Sequence, residues 1–219
     1  MKLQLLHICD SLFPIGSFGY SDGLEAAAVA SVDDLRAWID VVLDESLGRA
    51  EGPAVWRAWQ ACEDRDWETL AALDNEVIAL KPAASARRSS RAMGVRLLTT
   101  WRVLHPDPRL DHLLARVKTP SLPVAFAAAC SCAKIDRRAA VEAFAYTRLA
   151  ATISAAMRLM PIGQTDAHAL LARTLTRVPA VADAIADRAR SQGELESFTP
   201  MMDIAMMSQQ YLHSRLFRS

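Results

Sequence analysis

Residues 138–159 read RAAVEAFAYTRLAATISAAMRL, and this stretch decides the fold class. Alanine recurs throughout it, and only Arg138, Glu142, Arg148 and Arg158 carry charge. Alanine loses no side-chain entropy on entering a helix, whereas β-branched residues do. A run this long, apolar on nearly all sides, reads as a central buried helix. Asp136 heads it and Pro161 breaks it, with Thr165 as the cap of the next helix.

The same reading extends outward from this segment. Downstream, helices are expected over 165–177, over 179–192 with Gly193 as the stop, and from Pro200 to the end. Upstream, Pro123 opens a helix, and a short one runs from Leu110 to Val117. Met93, Leu97, Trp101 and Leu104 share a face before His105-Pro106 ends their run. Trp67 through Ile78 follows the plausible cap Asp66, and Val55, Trp56 and Trp59 mark another segment. Leu35, Trp38, Ile39, Val42 and Leu43 recur at helical spacing behind Ser31 and Asp34, a capping-box pattern, with Gly48 and Gly52-Pro53 expected to close that helix. Without a useful period-2 strand or an internal repeat, the chain is expected to be all-α. It reads as one globular domain over 1–219 of roughly ten helices, with an N-terminal motif segment (1–25) and a C-terminal partner-docking tail (200–219).

At 219 residues the chain can bury a core without covalent staples. Lys plus Arg equals Asp plus Glu at 25 each, which disfavours a globally basic nucleic-acid binder. Cys9, Cys62, Cys130 and Cys132 form no CxxC pair and read as reduced, buried thiols. With no signal peptide and no stretch near the ~20 apolar residues of a membrane span, the expected setting is soluble and cytoplasmic. Charge is unevenly spread. Arg87, Arg88, Arg91 and Arg102 lie on one side of an acid-free stretch, either as a solvated face or as a contact for an acidic protein surface.

Catalytic and cofactor chemistry finds little support. Neither GxxxxGK[ST] nor GxGxxG after a strand occurs, so no nucleotide cradle is expected. Cys130 and Cys132 would point about 200° apart around a helix, a poor chelate. His7, His105, His112, His168 and His213 are scattered without an HExxH pattern. No catalytic residue, metal ligand or cofactor is assigned.

Three segments stand out. Leu12-Phe13-Pro14-Ile15-Gly16-Ser17-Phe18-Gly19-Tyr20-Ser21-Asp22-Gly23-Leu24-Glu25 sets glycines around two aromatics, with Asp22 and Glu25 expected to cap the helix that follows. A loop packed on the core is the plain alternative. Arg158-Leu159-Met160-Pro161-Ile162-Gly163-Gln164-Thr165 spans the helix break, where Arg158 and Gln164 can tie down helix-end carbonyls. The last segment, 200–219, carries Met201, Met202, Ile204, Met206, Met207, Tyr211, Leu212, Leu216 and Phe217. So apolar an end needs a seat on this chain or on a partner, and its adaptable methionines favour a partner.

These three segments, in this order, resemble the signatures of the urease accessory protein family UreF, and Met93-Gly94 with Arg96-Leu97-Leu98 matches a further family segment. The resemblance runs from about Leu3 to Ser219. It implies an all-helical homodimer without catalytic activity, a chaperone and scaffold for nickel insertion. Its implied partners are UreD (also called UreH), the nickel-carrying GTPase UreG, whose turnover it modulates, and apo-urease. Mapped here, the tail with Tyr211, Arg215, Leu216 and Phe217 is the part ordered by UreD. Phe18, Tyr20 and Glu25, with Arg158 and Gln164, belong to partner-facing surfaces. The chain departs from the family where Gln209-Gln210 replace a usual His-Glu, Ala167-His168 a frequent Gly-Gln, Cys132 a common glycine, and Arg88 with its neighbours a more acidic stretch. Two other readings remain open: a helical enzyme with a pocket lined by Arg158, Gln164 and His168, and a nucleic-acid-binding regulator using Arg87, Arg88, Arg91 and Arg102.

Overall fold

The computed structural model describes residues 3–190 and 194–218. Among them there is no β-strand. The α-helices are α1 (Leu3–Cys9), α2 (Val32–Val41), α3 (Gly52–Glu63), α4 (Trp67–Ala79), α5 (Ala84–Leu104), α6 (Pro108–Arg116), α7 (Leu122–Cys132), α8 (Arg137–Leu159), α9 (Gln164–Leu175), α10 (Val178–Arg190) and α11 (Pro200–Ser208). One-turn 3-10 helices cover Ser17–Gly19, Leu24–Ala26 and Gln209–Tyr211. The expected stop of α10 at Gly193 lies outside the described residues.

Side-chain caps set several helix starts where the sequence put them. Ser31 accepts from the Asp34 amide while the Asp34 carboxylate accepts from the Ser31 amide, the full capping box of α2. Asp66 accepts from Thr69 N at 3.0 Å and Asp136 from Ala139 N at 3.1 Å. Each such cap contributes about 1 kcal/mol.

Two expectations about helix courses are corrected. Gly48 and Gly52-Pro53 do not end the helix that begins after Ser31. The chain runs on as a π-helix over Val42–Glu51 and passes into α3 without a break. Pro53 sits in the first turn of α3, and Gly52 lies where any side chain would meet Ile185 of α10. The central buried helix is α7 and not α8: every residue from Val124 to Cys130 is at most 2% exposed. Helix α8 buries Phe144, Leu149 and Ile153 on one side but leaves Tyr146 and Arg158 in solvent. Small size is what lets α7 be enclosed. Its alanines allow α3, α5 and α8 to close around it, and Phe126 meets Phe144 edge-on at 5.3 Å. No helix among the described residues is long and apolar enough to cross a membrane.

Candidate functional site

The three motif segments, the first of them more than a hundred residues from the other two in sequence, meet on one surface. The N-terminal motif reaches it through a chain of tight turns. Gly23 has φ +90°, and a Cβ there would lie 2.9 Å from both the backbone N and the Cγ of Met206 on α11. Glycine alone satisfies that backbone and that approach.

Asp22 and Glu25 do not cap a following helix. Leu24–Ala26 is a single 3-10 turn with no side-chain cap, and both carboxylates are used elsewhere. Asp22 pairs with Arg148 at 2.7 Å, Arg148 also reaches Glu51 at 3.3 Å, and Lys81 binds the other Glu51 oxygen at 2.6 Å. The π-helical segment thus delivers its last residue, the buried Glu51, to a four-member charge chain whose other members are half-buried. Burial alone would raise the Glu51 carboxyl, but Lys81 and Arg148 overcome it and hold it at about 2. Burial likewise works to lower Arg148, and Asp22 with Glu51 reverses it, so its pKa lies above the usual value.

Glu25 instead holds the C-terminus. One of its oxygens accepts the Leu216 N–H, and the other accepts the Phe217 N–H at 3.3 Å and the Gln209 side-chain N–H at 2.8 Å. Gln209 is fully buried and also donates to Ser21 Oγ at 3.0 Å. Its own Oε1 has no partner among the described residues.

The second motif enters through Arg158. Its Nη1 donates to the Phe18 carbonyl at 2.6 Å, and its guanidinium stands 4.2 Å from the centre of the Phe217 ring. Arg158 ties the N-terminal motif to the tail and leaves the carbonyls of its own helix end alone. Arg218 N donates to Gly19 O at 2.6 Å. Thr165 does not cap α9, whose N-cap is Gly163 with no side-chain bond.

The tail is thus seated on its own chain, with Phe217 buried. What stays in solvent is a row on α11 and beyond: Met201 at 73%, Ile204 at 55%, Met207 at 41%, Tyr211 at 81% and Leu216 at 53% exposure. Beside it lie shallow depressions walled by Phe18, Tyr20, Arg96, Arg158 and Arg218, and by Arg88, Arg215 and Phe217, with no carboxylate in their linings. Of the residues singled out in the sequence, Phe18, Tyr20, Glu25, Arg158, Tyr211, Arg215, Leu216 and Phe217 come together here. Gln164 does not; it is exposed on α9 and lines neither depression.

Sequence reasoning missed the roles of Arg148, Glu51 and Lys81, and it marked Gln209 only as a departure from the family. A charge within a largely apolar helix was the available signal for Arg148. The enzyme reading loses its pocket, since Gln164 and His168 are both exposed and stand apart from Arg158 in the depressions. The nucleic-acid reading loses most of its cations. Arg87 binds the Lys81 and Pro82 carbonyls, Arg91 binds Asp74 and the Thr119 carbonyl, and Arg102 pairs with Asp111. Among the described residues, no group of three or more His, Cys, Asp or Glu is placed to hold a metal ion.

The UreF family model matches residues 29–175. The urease accessory protein UreF of Azoarcus sp. (strain BH72) is 33% identical over 224 residues, covering 99% of this chain and 95% of that one. Its namesake from Methylibium petroleiphilum is 32% identical, with 99% and 93% covered. The one from Bacillus sp. (strain TB-90) is 29% identical, with 99% and 98% covered.

Proposed function

This chain belongs to the UreF family of urease accessory proteins, and we propose that it works in urease maturation as a helical adaptor presenting two adjoining faces to its partners. One face is the exposed apolar row of α11 and the tail, from Met201 to Leu216, and it docks UreD (UreH). The other is the arginine-lined surface around Phe18, Tyr20 and Arg158, left for a second component of the apparatus. The assembled complex, with the GTPase UreG on apo-urease, then supports GTP-dependent nickel insertion. Homodimerisation, which rests on the family resemblance, and a cytoplasmic setting complete this reading.

A single observation carries the proposal: three segments remote in sequence converge on one surface, and the apolar row beside them has no cover. Solvent-exposed apolar rows of this extent mark interaction sites. Because Glu25 already seats the tail, less ordering entropy remains to oppose docking than for a free tail. The family is one of accessory proteins and not of enzymes, which agrees with a site built to hold protein segments together.

Co-purification of a UreD homologue with the full chain and with a chain truncated after Gln209 tests the docking face. The expected result is capture by the full chain only, with both proteins folded by circular dichroism. Equal capture by both would place the UreD contact elsewhere.

A further inference from the structure

Both acidic side chains of the N-terminal motif are engaged by this chain itself. Asp22 is paired with Arg148, and Glu25 accepts from the Leu216, Phe217 and Gln209 N–H groups. The charge left on the outer side of the motif is cationic. Arg96 of α5, Arg158 of α8 and Arg218 of the tail line one depression of about 540 Å³, together with Phe18, Tyr20 and Ser154.

Main chain, and not carboxylate, sets each of these arginines in place. Arg158 Nη1 donates to the Phe18 carbonyl at 2.6 Å and Arg96 Nη1 to the Ile15 carbonyl at 3.4 Å, so each keeps the rest of its fork. Arg218 is anchored through its own amide on Gly19 O at 2.6 Å, with its stem alongside Gly19. Gly16, at φ +78°, leaves room for Arg96, since any side chain there would run into Nη1. Among the described residues none of the three has an ion pair, whereas Arg91, Arg109, Arg148 and Arg177 all do. The Ser154 hydroxyl beside them is likewise without a hydrogen-bond partner among the described residues.

We propose that this depression is a binding site for a multiply charged phosphate group, as carried by diphosphates and phosphate esters. Three guanidinium groups gathered in one depression repel one another, and a bound polyanion removes that repulsion. Geometry favours phosphate over carboxylate. A carboxylate is filled by a single fork along its two oxygens, whereas a tetrahedral phosphate presents oxygens to arginines on several sides at once. Ser154 adds a neutral donor. Phe18, 52% exposed, offers an apolar wall for whatever the phosphate is attached to. The volume of about 540 Å³ falls in the ~300–1,000 Å³ range of small-molecule sites. The assignment needs only this chain's residues, so it stands apart from the docking of UreD on α11 and is tested without a partner.

Calorimetric titration of the full-length chain with inorganic pyrophosphate, at an ionic strength fixed with sodium chloride, tests the site. The expected result is saturation at one pyrophosphate per chain. Arg96→Gln and Arg218→Gln, checked for folding, each lower the affinity by about tenfold or more, the loss of one charge-assisted hydrogen bond. Arg173→Gln, which removes the same charge from an exposed position on α9, leaves the affinity unchanged. Absence of saturation overturns the proposal, and so does an equal loss in all three variants, the mark of unspecific attraction. A hexaglutamate peptide titrated in parallel covers the other class of ligand: tighter binding of the peptide than of pyrophosphate would assign the face to an acidic protein segment instead. Amide NMR shifts of the wild type decide the matter even if a variant does not fold. Pyrophosphate has to move the signals of Gly16 to Tyr20 and leave those of α9 in place; no change, or one spread evenly over the chain, counts against the site.

Discussion

Arg158 stands over Phe217 with its guanidinium carbon 4.2 Å from the ring centre, joining the helix break after α8 to the penultimate described residue of the chain. A cation over an aromatic face contributes about 0.5–2 kcal/mol, more as water is excluded. The same tail is held by Glu25, which accepts three N–H groups at once. Glu25→Ala strips those donors of their acceptor, at about 1–3 kcal/mol for each one left buried. The expected outcome is release of the tail with the helical body intact. Hydrogen exchange checks it: the Leu216 and Phe217 amides lose protection while those of α7 keep theirs.

The charge chain around the buried Glu51 gives stability a pH dependence. The folded Glu51 carboxyl, at about 2, lies below its ordinary 4.5. Its contribution is therefore fully present above about pH 4.5 and is lost as pH falls toward 2. A shift of that size corresponds to something on the order of 3 kcal/mol. Glu51→Gln should be less stable than wild type at neutral pH and show a flatter decline between pH 4.5 and 2. Urea melts across that window measure both.

Gly94 on α5 faces the turn before α7. A Cβ there would come within 2.7 Å of the Ser121 carbonyl carbon, and closer still to the Pro120 oxygen. Those are backbone atoms, fixed in turn by the Asp74 carboxylate accepting from Ser121 N at 2.7 Å and by Ser90 accepting from Leu122 N at 3.2 Å. Gly94→Ala can be accommodated only by moving α5 off α7, at a cost of about 1–3 kcal/mol or more. Its melting temperature should fall clearly, whereas Ala92→Gly, one turn-face away on the half-buried side, should fall by no more than the usual ~1 kcal/mol for glycine in a helix.

The helices were readable because caps and periodicity act locally: Ser31, Asp66 and Asp136 do in space what their spacing announces. What failed was non-local. Gly52-Pro53 looks like a stop until Ile185 is found packed against it, and the π-helical run shows only once Glu51 must reach Lys81 and Arg148. Residues 138–159 read as the central helix because their alanines outnumber their charges. The shorter α7, with no charge at all, is the one enclosed on every side. At the site, motif membership picked out Glu25, Arg158 and Phe217. It could not reveal that Glu25 spends its carboxylate on the tail and not on a helix cap, since that pairing spans 191 residues.

The exposed row on α11 is the sharpest point of contact with function. Ile204→Asp alters a side chain that is 55% exposed, so the folded protein should keep its stability to within about 0.5 kcal/mol. The deciding measurement is the affinity of a UreD homologue for wild type and for this variant, taken alongside their melting temperatures. Loss of binding at an unchanged melting temperature is the predicted result. Undiminished binding would show that the apolar face of α11 is not where the partner docks.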